Sequence, residues 1–396
     1  MSDRELDRRI GVVGAGTIGS GIARLLADLD ATVVVVAPRP GGVERAADAL
    51  RQSYGSDVER GRLGPAEADV RLCNIHFTPS YADLAGVECV IESVAEEVQT
   101  KREVLAAIED VVAPDCIIAS NTASIPIARI AAAAVRRDRV IGTRYCWPAH
   151  RYRLVEIACS SATSARTLHR TLDLAGWQGK VPLIVRDSPG FFTARVLLVY
   201  LNEAIALVAE GASIDAVDRA MTDFGWPMGP FRLMDAVGVE ILRGVHDSVS
   251  RHLGARVAHV PRLWPLLRAG HLGHGCRRAG ARGFYRDPDG RVVDERIYPL
   301  IARTAKKAPS PLDIATRPIW QLINEIGHCL AEGIVSSPGD ADLGAILGLG
   351  WPQWQGGPIE FARRVGLDHI GGELRRWTEQ HGSRFVPGDF LLHSLV

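Results

Sequence analysis

A G-x-G-x-x-G sequence, Gly14-Ala15-Gly16-Thr17-Ile18-Gly19, directly follows the apolar run Ile10–Val13 and opens a helical pattern through Ile22, Leu25 and Leu26. Each glycine has its own physical reason. Gly14 permits a tight turn, Gly16 lets backbone approach a pyrophosphate, and Gly19 allows a helix to pack closely on a strand. The helix that starts at Thr17 and Ile18 then offers its amides and its dipole to the phosphates. About 20 residues further on, an NAD site keeps an Asp or Glu for the ribose 2′-hydroxyl. Here that position is Ala37, followed by Pro38 and Arg39. Without the carboxylate a 2′-phosphate is no longer repelled, and Arg39 can pair with it. NADP is therefore expected in preference to NAD; the bland alternative leaves Arg39 as a solvated loop residue.

Further along stand Glu96, Lys101, Asn121, Arg144, His150, Tyr152 and Glu156, all capable of polar chemistry. The elements that position them follow from residue type. Thr32–Val36 is a β-branched run, and strand, glycine turn, helix and strand within about 30 residues is the context that makes the glycine motif specific. More strands are expected at 87–94 and 116–119, with a short one at 140–141 and helical stretches such as 101–112 between them. That alternation predicts a largely parallel sheet, in which ligands gather at the strand C-termini. Glu96, Asn121 and Arg144 then surround one crevice.

The 396 residues suffice for two or three domains with buried cores. Forty-six basic residues balance 46 acidic ones, so no global field favours nucleic acid or a membrane surface. The cluster Arg277, Arg278, Arg282 and Arg286 could touch phosphates or simply be solvated. The seven cysteines lack C-x-x-C spacing, which predicts reduced thiols, no metal site and a cytoplasmic protein. The polar first eight residues carry no secretory signal, and no apolar run is long enough to span a bilayer.

With these residues in view, the chain resembles the 3-hydroxyacyl-CoA dehydrogenases, including the long form built into multifunctional β-oxidation proteins. Residues 14–23 are similar to the family's opening, and Ser120-Asn121-Thr122 to its Ser-Asn-Thr. Leu154-Val155-Glu156, Ser188-Pro189-Gly190-Phe191 and Pro227-Met228-Gly229-Pro230 match further family motifs. The resemblance implies that Glu96 and Lys101, in the segment from Ile91, lie near the nicotinamide ribose and phosphates. It also implies a catalytic histidine in a His-Phe-Phe-Asn-Pro stretch, polarised by a glutamate twelve residues on, with a serine and an asparagine holding the substrate. Here the stretch reads Arg144-Tyr145-Cys146-Trp147-Pro148. Glu156 is kept, but Ala123 and Ala194 stand at the serine and asparagine positions. A guanidinium donates but cannot exchange a proton near neutrality, and losing a general base costs about 10²–10⁴ in rate.

Several roles for these residues remain open from sequence. Arg144 forms an ion pair with Glu156, or it clamps a carboxylate or oxyanion. His150 and Tyr152 supply a displaced proton donor, or they are loop side chains. Cys146 has no activating neighbour in sequence and reads as a small buried residue.

After Phe191 helical spacing dominates, and one pattern occurs twice. Asn202-Glu203, Ala209-Glu210-Gly211, Asp218, Gly225-Trp226-Pro227, Gly229-Pro230 and Val237-Gly238 recur as Asn324-Glu325, Ala331-Glu332-Gly333, Asp342, Gly350-Trp351-Pro352, Gly357-Pro358 and Val365-Gly366. The expected architecture is an α/β Rossmann-type N-terminal domain over 1–187 followed by an all-α, internally duplicated C-terminal region. Its two helical units are placed at 188–305 and 312–396, with 306–311 as linker. Two copies that cover each other's apolar faces predict a monomer with a pseudo-dimeric C-terminal region.

Three function classes fit. The first is an NAD(P)-dependent oxidoreductase acting on an acyl thioester, CoA- or carrier-protein-bound, or a related hydroxy or keto acid. The second is a non-redox enzyme using Arg144 as an oxyanion clamp, and the third a catalytically silent binding homologue. The intact glycine loop with Glu96, Lys101 and Glu156 favours the first.

Overall fold

The run Thr32–Val36 has four consecutive buried valines, the pattern of a strand covered on both faces. It is one of eight strands in a single sheet. A computed structural model of the chain describes residues 8–257, 263–275, 280–287, 289–301 and 308–392. Cys276, Arg277, Arg278 and residues 306–307 of the expected linker lie outside the described residues, whereas Arg282 and Arg286 are exposed. The chain divides into two compact units, Met1–Ser188 and Pro189–Val396.

In the first unit the order is β1 (Arg9–Val13), α1 (Thr17–Ala27), β2 (Thr32–Val36), α2 (Gly42–Glu59), α3 (Pro65–Cys73), β3 (Ile75–Thr78) and β4 (Cys89–Glu92). There follow α4 (Val98–Glu109), β5 (Ile117–Ser120), α5 (Ile127–Ala131), β6 (Val140–Tyr145), β7 (Leu154–Cys159), α6 (Ala165–Trp177) and β8 (Val181–Arg186). The strands lie side by side as β3-β2-β1-β4-β5-β6-β7-β8. All pairings are parallel except β6–β7. The order reverses at β1, between β2 and β4, which opens a crevice at the strand C-termini there. Ile22 and Leu26 of α1 pack on Val12, Val33 and Ile91 of the sheet, so the apolar stripe expected in α1 anchors the glycine loop.

Two strands differ instructively from expectation. β6 runs on to Tyr145 rather than ending near Ile141, so Arg144 sits inside a strand. β7 returns antiparallel beside it, which places Arg144 directly opposite Glu156 in register. The twelve-residue separation of these two residues is a cross-strand pairing.

The second unit is mainly helical among its described residues, with isolated bridges at His271–Arg282 and Tyr285–Val293. It contains α7 (Thr193–Glu210), α8 (Ile214–Phe224), α9 (Pro230–Val237), α10 (Val239–Leu253) and α11 (Leu263–Arg268). After these come α12 (Pro311–Ala331), α13 (Pro338–Gly344), α14 (Pro358–Val365), α15 (Leu367–His381) and α16 (Asp389–Leu392). The expected linker ends earlier than its sequence suggested: Ser310 caps α12 in a capping box with Asp313, and Pro311 is already helical. The sequence repeat is repeated in bonding. Asp218 accepts from the Phe231 and Arg232 amides, and Asp342 from those of Ile359 and Glu360. Asn202 Nδ2 donates to Val257 O at 3.2 Å, and Asn324 Nδ2 to Val386 O at 3.0 Å. No helix among the described residues is long and apolar enough to cross a membrane.

Candidate functional site

The turn after β1 is built by contacts that exclude side chains. Gly14 has φ +101°, and a Cβ there would lie 2.5 Å from Ser93 O on the turn after β4. A Cβ on Gly19 would lie 1.9 Å from Gly14 O. Gly16 differs: a Cβ there would meet nothing within 4 Å. Its bare backbone faces open space at the N-terminus of α1, which has no side-chain cap. This is the space a pyrophosphate requires, so the residues fit a dinucleotide. Gly14, Gly16, Ala37, Arg39, Arg45 and Thr100 help to line a cleft of about 310 Å³ running from this turn past the end of β2. Thr17 and Ile18 begin α1, while Gly19 is buried behind it. Arg45, also in the cleft, was not singled out from sequence. It lies six residues past Arg39, beyond any motif, and only the fold of the 38–41 loop brings it there.

Buried Glu92 and Lys101, with half-buried Glu96, form a knot beside this cleft. Glu92, at the end of β4, accepts from the Val94 amide at 2.7 Å, Lys101 Nζ at 2.8 Å and Ser120 Oγ at 2.6 Å. Lys101 is fully buried and lies 3.5 Å from Glu96 Oε2. Glu96 Oε1 in turn accepts from Thr122 Oγ1, the Ala123 and Ser124 amides and Ser124 Oγ, all within 2.9 Å. Lys101, expected beside the cofactor phosphates, is thus enclosed, and does not line the cleft. Glu96 instead fixes the loop after β5. Asn121 bridges β4 and β6, donating to Ser93 Oγ at 3.1 Å and accepting from the Tyr145 amide at 3.0 Å. Sequence gave no hint of Glu92 as the centre of this knot, because it reads as one more strand residue.

Arg144 Nη1 donates to Glu156 Oε2 at 2.8 Å. The Glu156 side chain is fully buried, while 17% of the Arg144 side chain remains exposed. Burial alone would weaken the guanidinium's hold on its proton, but Glu156, Cys146 and Glu96 outweigh it and raise its pKa further. The pair is a fixed cation lying over a buried carboxylate. It can orient or stabilise a negative oxygen; it cannot relay a proton. Burial pushes the Cys146 thiol up to about 11 despite Arg144 beside it, so Cys146 is no thiolate at neutral pH.

His150 is placed elsewhere. Burial, then the positive fields of Arg24 and Arg151, drives it down to about 4, with Asp28 and Asp57 opposing. Those groups belong to α1, α2 and the loop after β6, so His150 faces the helices rather than the Arg144–Glu156 pair. Near neutral pH His150 is therefore an uncharged imidazole among these groups. Tyr152 lies near Cys146, and burial raises its hydroxyl pKa. Lys180, buried at the start of β8, donates to the carbonyls of Ala149 and Tyr152 and so fixes the loop that carries them. Ala123 contributes its amide to Glu96, and Ala194 is buried in α7.

Comparison with known proteins agrees with this geometry. Residues 9–188 match the model of the 3-hydroxyacyl-CoA dehydrogenase NAD binding domain, and residues 190–287 that of the 3-hydroxyacyl-CoA dehydrogenase C-terminal domain. The fatty acid oxidation complex subunit alpha of Shewanella loihica is 33% identical over 392 residues, covering 97% of this chain. The chain spans only 54% of that relative's length. The crystal structure of M. tuberculosis FadB2 is 35% identical and superposes with a TM-score of 0.67, covering 70% of this chain and 98% of that one. The 3-hydroxybutyryl-CoA dehydrogenase of Escherichia coli shares the fold with a TM-score of 0.80 at 24% identity, over 97% of both chains. On its two matched domains and its shared fold, the chain belongs to the 3-hydroxyacyl-CoA dehydrogenase family.

Proposed function

We propose that the protein is a cytoplasmic NADP(H)-dependent oxidoreductase acting on an acyl thioester or a related hydroxy or keto acid. In this reading Arg144 holds the substrate oxygen on which negative charge develops. The hydride would be supplied or taken up by a nicotinamide held in the cleft. When a carbonyl is reduced, hydride addition leaves an alkoxide, and a fixed cation stabilises that charge without proton exchange. The proton then comes from solvent. The buried Glu156 carboxylate keeps Arg144 oriented and offsets its charge. The preference for NADP rests on the small, neutral Ala37 at the end of β2 and on Arg39 in the same cleft.

The observation that carries the reading is the open backbone at Gly16 within an otherwise close-packed glycine turn. What sets Gly16 apart from other open surface glycines is its place at the uncapped start of α1, in the lining of the cleft. Fluorescence titration with NADPH and with NADH tests it first, followed by hydride transfer to acetoacetyl-CoA and shorter keto acids. Saturable binding that is tighter for NADPH is expected. Failure of both cofactors to bind would remove the redox reading altogether.

The closed Arg144–Glu156 pair favours a second reading, a silent binding homologue. It predicts cofactor binding with no hydride transfer to any acyl thioester. The combined variant Arg144→His, Ala123→Ser, Ala194→Asn separates the two further. Gain of acetoacetyl-CoA reduction identifies a sound pocket with altered groups, and no gain identifies a reshaped pocket.

A further inference from the structure

The end of β2 carries two guanidinium groups. Arg39 in the loop and Arg45 in the first turn of α2 are both exposed, and both line the cleft beside Ala37 and Gly42. Arg45 is not a trailing surface side chain: its Nη2 donates to Pro40 O at 2.9 Å. Gly41, the N-cap of α2, has φ 65°, and a Cβ there would lie 2.7 Å from Arg45 Nη1. The guanidinium therefore lies across the loop backbone, held over the start of an 18-residue helix that has no side-chain cap. The Gly42 amide closes the loop by donating to Arg39 O at 2.8 Å. Among the described residues, no carboxylate lies within ion-pair distance of Arg39 or Arg45. The nearby acid is Glu44, exposed in the same helical turn.

We infer that Arg39 and Arg45 together form a two-point clamp for the 2′-phosphate of the cofactor, with Arg45 as a second specificity-determining residue. The inference rests on the reading of the cleft as a dinucleotide site. A 2′-phosphate carries close to two negative charges and three acceptor oxygens, more than one guanidinium satisfies. Ala37 leaves room for it, and the uncapped turn of α2 adds positive potential on the same side.

Calorimetric titration of the whole protein with adenosine 2′,5′-bisphosphate and with adenosine 5′-monophosphate tests the clamp without requiring turnover. The bisphosphate is expected to bind about tenfold tighter or more, since each charged hydrogen bond contributes on that scale. Arg39→Gln and Arg45→Gln should each reduce the preference about tenfold, leaving monophosphate affinity unchanged as the check that the cleft is intact. If Arg39→Gln abolishes the preference while Arg45→Gln leaves it whole, Arg45 is only a loop staple to Pro40, and the inference fails while the NADP reading stands. If the unaltered protein shows no preference, that reading fails and the clamp with it. If Arg45→Gln also weakens monophosphate binding by the same factor, Arg45 supports the loop instead of reading the phosphate.

Discussion

Position 144 carries a residue that keeps its charge, and the consequences are measurable without knowing the substrate. Arg144→Gln would leave the Glu156 carboxylate buried without its cation. Removing one member of a buried pair costs about 3–5 kcal/mol, because the remaining charge is desolvated and uncompensated. Arg144→Gln with Glu156→Gln removes both charges and should cost less than Arg144→Gln alone, an ordering that urea unfolding of the three proteins would check. Equal cost for single and double variants would mean that the carboxylate left behind carries no penalty. The same logic sets the pH dependence of any hydride transfer. Arg144 stays protonated, Cys146 is pushed up to about 11 and His150 down to about 4. No inflection is therefore expected between about pH 5 and about pH 7, where a histidine would ordinarily titrate. Arg144→His should introduce one. An inflection near neutrality in the unaltered protein, lost in His150→Gln, would return His150 to the reaction.

Among the elements, α7 and α12 are joined by reciprocal ion pairs. Arg195 on α7 is bonded to Glu325 and, at 2.7 Å, to Glu332, while Arg317 on α12 reaches Glu203 and Glu210 at 2.8 and 2.6 Å. Arg256 and Arg384 add a second cation to each cage. Arg317→Ala should destabilise the second unit by about 3–5 kcal/mol, read as a lowered denaturant midpoint, and Arg195→Ala by a similar amount. Acid should open the same cages. Burial alone would raise the Glu332 pKa, but bonds from Arg195 and Arg256 hold it down to about 2 from an ordinary 4.5. The unfolded chain therefore binds the proton first. Stability from Glu332 is present above about pH 4.5 and is lost as pH falls towards 2. Glu332→Gln should flatten that part of the stability curve. These pairings explain the limits of the sequence. The spacing Arg-x₇-Glu-x₆-Glu is visible in both repeats, but each arginine bonds the other copy's glutamates, 130 and 114 residues away. Strands were legible where valine and isoleucine ran continuously. β7 and β8 were not, because Glu156 and Pro182 interrupt them. Helices of the second unit were legible because apolar spacing and glycine stops recur.

For the whole molecule, the duplication bears on assembly. A helical unit with an unpaired apolar face must find a partner, and a second copy in the same chain supplies one at high effective concentration. Within the second unit α7 and α12 are each buried along most of their length, and Trp226 and Trp351, equivalent in the two repeats, meet edge to face with ring centres 5.9 Å apart. The charged groups that would otherwise greet a second chain are already used: Arg195, Glu203, Arg317 and Glu325 are buried in intramolecular pairs. Association with another copy through this surface would require the cages to open, exposing several charges and two indoles at once. The protein is therefore expected to be monomeric at about ten micromolar, well above the range in which interfaces of standard size hold. Sedimentation equilibrium of the full chain decides this. A stable dimer would show that some other face is used, and that dimerisation would then survive Arg317→Ala, which opens only an intramolecular cage.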